Sequence, residues 1–114
     1  EKKSIKMFNF FKKIFDTHLY KSGYKLVTPQ EENKRGSHVT ISHNESWRIS
    51  KCLSSPKKQE RKILIDFRPD EFIRISLTPL YTSFNDIYHL TKRLFDIVKL
   101  KEYMNHDNEK PTVT

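Results

Sequence analysis

Arg74 is the residue whose type and setting best suit it to chemistry. It falls within Phe72–Leu77, where apolar and polar residues alternate as they do in a strand with one buried face. This alternation places it on the side opposite Ile73, Ile75 and Leu77. A guanidinium held on a strand offers a planar fork of donors to a carboxylate. We therefore treat Arg74 as a candidate anion-binding residue; the alternative is an arginine on a solvent-facing side of the strand.

The other residue types that carry chemistry show no comparable pattern. The two glycines, Gly23 and Gly36, stand far apart, so no glycine-rich turn is present to hold a nucleotide phosphate. The five histidines and one cysteine lack metal-site spacing; His38 and His43 lie across a predicted strand-to-helix junction. Cys52 falls on the apolar side of a predicted helix and is interpreted as a core residue. From these patterns we predict no metal site and no nucleotide-binding loop, and we do not expect Cys52 to act as a nucleophile.

The size and composition of the chain predict one folded domain. We assign residues 1–114 to a single unit with a polar tail over residues 104–114. Hydrophobic residues make up 35% and aromatic residues 12%, which indicates a folded domain with a large wetted surface. Cys52 is the single cysteine and no secretion signal opens the sequence, so we expect a cytoplasmic setting. No apolar run approaches the roughly 20 residues of a membrane-spanning helix, and we predict no membrane partner.

The formal net charge of +8 could attract RNA or another polyanion. The cationic residues are scattered, with local concentrations around Lys2–Lys6 and Lys57–Lys62, and such runs are typical of a solvated surface. Charge alone therefore leaves a free-standing polyanion-binding module as an alternative function, not as the main one.

The first part of the chain predicts a helix followed by two strands. The helix ends near Gly23, a residue that can adopt the left-handed conformation that closes helices. Tyr24–Thr28 alternates in a β-compatible way before Pro29, and His38–Ser42 does so again after a polar loop. The apolar residues of the helix recur at helical spacing and are Phe8, Phe11, Phe15 and Leu19.

A second helix is predicted after the second strand. Ser42 and Glu45 have the spacing of a capping box, in which a hydroxyl and a carboxylate satisfy the first free amides of a helix. We expect that helix to run to about Leu53. The polar stretch Ser54–Lys62 lacks periodicity and is predicted to be a loop.

Two further strands and a last helix complete the predicted domain. The strands are Ile63–Phe67 and Phe72–Leu77, and Ser83 with Asp86 offers a second capping box. The order α-β-β-α-β-β-α predicts an α+β fold in which helices cover one face of a small, mainly antiparallel sheet of three to four strands. The core stripe of the last helix is Ile87, Leu90, Leu94 and Ile97.

Four motifs, in order, resemble the small carboxy-terminal domain of bacterial kynureninases. Arg35–His43, reading RGSHVTISH, resembles the segment that opens the family's small-domain sheet, and Ile65–Pro69, reading IDFRP, resembles the next strand and turn. Ile73–Ile75 followed by Thr78–Phe84, reading TPLYTSF, resembles the penultimate segment, and Pro111–Thr114 is similar to the end of bacterial members. The resemblance covers about residues 5 to 114 and implies the small domain of fold-type-I enzymes.

Kynureninases are homodimers that use pyridoxal phosphate to hydrolyse L-kynurenine, or its 3-hydroxy form, to an anthranilate and L-alanine in tryptophan catabolism. The resemblance implies that a lysine of a large domain holds the cofactor and that Arg74, which matches a small-domain arginine of the family, binds the substrate α-carboxylate. Substrate binding is thus the role expected of Arg74, with L-kynurenine and the large domain as partners and no nucleic acid.

Two departures from the family affect what this chain can do. It begins at Glu1, without Met, inside what resembles the family's long connecting helix. We therefore expect the large domain to be missing and the chain alone to be inactive and to bind no cofactor. Ser54–Lys62 is longer and more cationic than the connection usual in the family. A non-catalytic remnant that folds or pairs with a full-length homologue is a third interpretation.

Overall fold

The computed structural model describes residues 2–27, 38–54, 65–69, 71–77 and 82–107. Its elements, in chain order, are α1 (Lys2–Ile14), β1 (Lys25–Leu26), β2 (His38–Ser42), α2 (Ser46–Ser54), β3 (Ile65–Arg68), β4 (Phe72–Ser76) and α3 (Phe84–Lys99). A π-helical turn and a 3₁₀ turn continue α1 through Phe15–Leu19 and Tyr20–Ser22, and a 3₁₀ turn, Glu102–Asn105, follows α3.

The first helix forms because its aromatic and aliphatic residues fall on one side. Phe11, Phe15 and Leu19 are buried, and the wider turn over Phe15–Leu19 keeps both of its end residues inside. Gly23 then adopts a φ of 95°, a left-handed conformation that costs glycine little, and ends the helix where the sequence predicts.

The four strands form one antiparallel sheet in the order β1-β2-β4-β3. β2 and β4 are therefore central, although β3 lies between them in sequence. Arg74 of β4 is the register partner of Thr40 on β2 and of Asp66 on β3. Both neighbours of β4 hold its backbone through ladder hydrogen bonds, which fixes the direction of its side chains.

All three helices pack against one face of this sheet and form a single hydrophobic core. The sheet contributes Val39, Ile41, Ile73 and Ile75, none more than 1% exposed. Burying an aliphatic side chain of this size stabilises a fold by about 1.5 to 3 kcal/mol. The α+β class, with helices on one face of a small antiparallel sheet, is confirmed.

The last helix begins as the sequence predicts. The Ser83 hydroxyl accepts a hydrogen bond from the Asp86 amide at 3.1 Å, and the Asp86 carboxylate accepts one from the Ser83 amide at 2.9 Å. This capping box satisfies amides that lack partners in the first helical turn. The predicted stripe is buried and consists of Ile87, Leu90, Leu94 and Ile97.

The predicted capping box at Ser42 and Glu45 is wrong. The helix starts at Ser46, and the Glu45 amide donates to Nδ1 of His43 at 2.9 Å. The Ser46 hydroxyl accepts from the His43 amide at 3.0 Å and donates to the Glu71 carbonyl oxygen at 2.6 Å. The His43 ring and the Ser46 hydroxyl thus replace the predicted pair. Both lie in or next to the turn before the helix and accept hydrogen bonds from its backbone amides.

Three strand boundaries also differ from the prediction. The first strand is only Lys25–Leu26, because the Tyr24 side chain turns into the core and its hydroxyl donates to the Leu94 carbonyl oxygen at 2.7 Å. The third strand extends to Arg68, which pairs with Phe72 across the hairpin. The fourth ends at Ser76 instead of residue 77.

Parts of several predicted segments lie outside the described residues: 28 of the first strand, 63–64 of the third, 55–62 of the loop and 108–114 of the tail. Ser54, assigned to the loop, is the last residue of α2. At the start of the predicted tail, the His106 carbonyl oxygen accepts a hydrogen bond from Nε of Arg48 at 3.1 Å. No helix in the described part of the chain is long and apolar enough to span a bilayer.

Candidate functional site

The sheet surface that faces away from the helices is called the outer face. Its side chains alternate with the buried ones along each strand, and all are half-buried or exposed. The outer face consists of Lys25, His38, Thr40, Ser42, Asp66, Arg68, Phe72, Arg74 and Ser76.

Arg74 occupies the middle of the outer face. It is half-buried, between Thr40 on one side and Asp66 on the other, and the helices lie behind its strand. The prediction that Arg74 points away from the apolar side of its strand is therefore confirmed. Because β4 is paired on both edges, the backbone that carries Arg74 is held by the sheet and not by a loop.

The acid beside Arg74 is engaged elsewhere. Although Asp66 is the register partner of Arg74, its carboxylate forms an ion pair with Arg68 at 3.1 Å. Arg74 has no ion pair or hydrogen bond through its side chain to any described residue. A half-buried guanidinium with unused donors can form charge-assisted bonds to a carboxylate brought from outside.

Two other arginines in the described part of the chain are occupied. Both terminal nitrogens of Arg93 donate to the Glu102 carboxylate, at 2.7 and 2.9 Å, and this hydrogen bonding raises the pKa of Arg93. Arg48 donates to the His106 carbonyl oxygen and lies 3.4 Å from Glu45. These side chains stabilise the fold, whereas the side chain of Arg74 has no such partner among the residues that the structure describes.

His43 is a structural residue that the sequence analysis missed. Its Nε2 lies 3.0 Å from the Ser22 carbonyl oxygen, its Nδ1 accepts from the Glu45 amide, and its ring packs against Tyr24 at a tilt of 59°, with centroids 4.8 Å apart. Nδ1 is an acceptor, so Nε2 carries the proton and donates to Ser22. Burial lowers the pKa of His43. No short motif signals such a role, because the partners come from separate elements.

The remaining candidates do not come together as one site among the described residues. His43 is engaged at the helix junction while His38 is exposed on the outer face, and the described residues contain no group of three metal-ligating side chains. Cys52 is buried, and desolvation, with Glu102 nearby, raises the pKa of its thiol to about 11. At neutral pH that thiol stays protonated, which agrees with its interpretation as a core residue.

An antiparallel sheet with helices behind it and an arginine at the centre of its open face defines a small α+β domain. A family model described as the kynureninase C-terminal domain matches residues 1–94. The chain belongs to this family.

Individual relatives agree with the family assignment. The chain is similar to the kynureninase of Geobacillus thermodenitrificans, with 29% identity over 97% of the chain and 25% of the relative. It is 30% identical to the kynureninase of Shouchella clausii over 98% of the chain and 25% of that protein. The kynureninase of Pseudomonas fluorescens is 29% identical over 90% of the chain and 23% of its own length. The chain thus spans about a quarter of the curated relatives it matches.

Proposed function

We propose that this chain is the carboxy-terminal domain of an enzyme that cleaves L-kynurenine, or its 3-hydroxy form, to an anthranilate and L-alanine. In this proposal Arg74 binds the substrate α-carboxylate. The observation that supports it is a half-buried arginine at the centre of the outer face whose side chain has no ion pair or hydrogen bond to another described residue. The proposed reaction is taken from the family's name and from the resemblance of the motif around Arg74.

The geometry suits a positioning role. A carboxylate accepts two parallel bonds from one guanidinium, which fixes both its distance and its plane. A rigid strand then determines where the rest of the bound amino acid lies, and such orientation lowers the barrier of a reaction at the neighbouring carbon. Arg74 thus contributes binding and alignment, and the groups that move protons lie in another part of the enzyme.

The described residues do not fit the attachment of pyridoxal phosphate. The cofactor, when bound, supplies an electron sink and is held by a lysine whose desolvated surroundings make its amine nucleophilic. Among described lysines with characterised side chains, Lys12 is half-buried and paired with Asp16, and the others are exposed. We therefore assign cofactor binding to a preceding large domain. A homodimer in the cytoplasm completes the proposal, as the resemblance implies.

A fusion enzyme tests the proposed function. The chain replaces the last quarter of the Geobacillus thermodenitrificans kynureninase, and kynurenine cleavage is followed by the fluorescence of released anthranilate. We expect cleavage, and Arg74→Ala is expected to lower kcat/KM roughly a hundredfold, because losing one partner of a charge-assisted carboxylate contact costs about 2 to 4 kcal/mol.

Lys25→Ala is the matched control. Lys25 is an exposed cation on the outer face, but it lies on the edge strand β1 and not beside Arg74. Its removal is expected to change kcat/KM less than threefold, the scale of an exposed charge. A folded, active fusion in which Arg74→Ala and Lys25→Ala behave alike would remove Arg74 from the substrate site.

A further inference from the structure

Arg68 and Asp66 occupy the strand next to Arg74 and share its face. Asp66 is in register with Arg74, yet its carboxylate lies 3.1 Å from Arg68. We propose that Arg68 is a positioning residue: by holding Asp66, it keeps this carboxylate away from the Arg74 guanidinium, which then binds the incoming carboxylate. This inference rests on the proposed function for its consequence in catalysis, but not for the contacts themselves.

The register makes competition for Asp66 unavoidable. Directly opposed residues of an antiparallel pair have Cβ atoms about 4.5 to 5.5 Å apart, within reach of an aspartate and an arginine. Opposite charges at such positions attract one another, so Asp66 and Arg74 would be expected to pair. Arg68 stands two residues along β3 on the same face and offers the carboxylate a different partner.

The size of the expected effect follows from exposure. The side chains of Arg68 and Asp66 are 48% and 58% exposed, so water and salt weaken their attraction. Exchanging one exposed ion pair for another shifts an equilibrium roughly two- to fivefold. Arg68 therefore adjusts the availability of Arg74 and does not decide whether the domain folds.

The chain itself provides a direct test with the arginine reagent phenylglyoxal, read by peptide mass spectrometry. Arg68→Ala is expected to slow modification of Arg74 roughly two- to fivefold, because Asp66 turns to Arg74 and protects it. Adding Asp66→Asn to Arg68→Ala should restore the wild-type rate. Arg68→Lys, which keeps a cation beside Asp66, should stay close to wild type.

Unchanged modification of Arg74 in Arg68→Ala overturns the inference. So does slower modification that persists after Asp66→Asn is added, because Arg68 would then act without Asp66. The rate of Arg48 modification in the same sample serves as the internal reference, since Arg48 lies on α2 and not on the outer face.

The fusion enzyme adds a kinetic readout that a purely structural role would not produce. Arg68→Ala is expected to raise KM roughly two- to fivefold with little change in kcat, and to have no effect when Asp66 is already Asn. A KM rise of equal size in both backgrounds means that Arg68 attracts the substrate by its own charge, which contradicts the inference. If Arg74→Ala leaves cleavage intact, the proposed function fails, and the modification rates still decide this inference.

Discussion

Arg74 and Arg93 show two uses of the same side chain. Arg93 donates hydrogen bonds to the Glu102 carboxylate and to the Cys52 carbonyl oxygen, the latter at 3.3 Å. These bonds connect α3 to α2 and to the last 3₁₀ turn. Arg74 stands on a strand whose described neighbours leave its donors unused. The difference lies in the partners that the fold supplies.

The fork of donors, and not only the charge, should matter at position 74. In the fusion enzyme, Arg74→Lys is expected to remain roughly tenfold or more below wild type in kcat/KM, because an ammonium cannot make two parallel bonds to a carboxylate. Steady-state kinetics on kynurenine measures this. A lysine variant equal to wild type would show that charge alone suffices.

His43 should make the stability of the chain depend on pH. Burial lowers its pKa in the folded chain below the ordinary value of 6.5. As the pH falls below about 6.5, the unfolded chain gains a proton before the folded chain does, so unfolding becomes more favourable. The stability that comes from a neutral His43 is fully present above that pH and is lost as the pH falls towards the pKa of His43 in the folded chain. Urea denaturation between about pH 7 and pH 5 should show a falling free energy of unfolding.

His43→Gln is expected to flatten this dependence, since its side chain does not titrate. The control is His89→Gln, because His89 is exposed on α3 and contacts the neighbouring Tyr88 ring. An equally steep loss of stability in both variants would mean that other groups, such as carboxylates, produce the pH dependence.

At the scale of elements, the capping box of α3 should have a measurable effect. Ser83→Ala removes the acceptor of the Asp86 amide and is expected to lower the free energy of unfolding by about 1 kcal/mol. Urea denaturation measures the loss. Asn85→Ala is the control, since Asn85 is exposed in the same turn and outside the box; a loss equal to that of Ser83→Ala would argue against capping.

The two predicted capping boxes show what local sequence can determine. Ser83 and Asp86 form one as expected, because no competing side chain intervenes. Between Ser42 and Glu45 stands His43, whose ring is held by Ser22 from the preceding helix and then accepts from the Glu45 amide. The spacing is the same, but at Ser42 and Glu45 the contact from Ser22 to His43 and the ion pair of Glu45 with Arg48 replace the box.

Strands were predictable in position but not in order. Alternation identified β2 and β4, and it placed Arg74 correctly on the outer face. The arrangement β1-β2-β4-β3, which brings Thr40 and Asp66 to either side of Arg74, depends on long-range pairing that alternation does not encode. The ion pair between Asp66 and Arg68 is local, because the two residues lie two apart on one face of β3. The sequence analysis missed it because it did not show that Asp66 also lies opposite Arg74.

For the whole molecule, we predict that the chain alone does not hold pyridoxal phosphate at a defined site. The lysines with characterised side chains are exposed or, in the case of Lys12, paired with an acid, so incubation followed by borohydride should give only sparse, scattered labelling. Peptide mass spectrometry measures the labelling, with the fusion enzyme as positive control. A stoichiometric adduct at one lysine of the chain would contradict the prediction.

The contact between α2 and β3 gives the molecule a built-in optical label. Trp47, the only tryptophan in the sequence, packs edge-to-face on Phe67 with ring centroids 5.1 Å apart. Phe67 lies between Asp66 and Arg68 but projects to the opposite side of the strand. The fluorescence of Trp47 therefore reports whether β3, which carries Asp66 and Arg68, packs against α2. No probe has to be attached near Arg74.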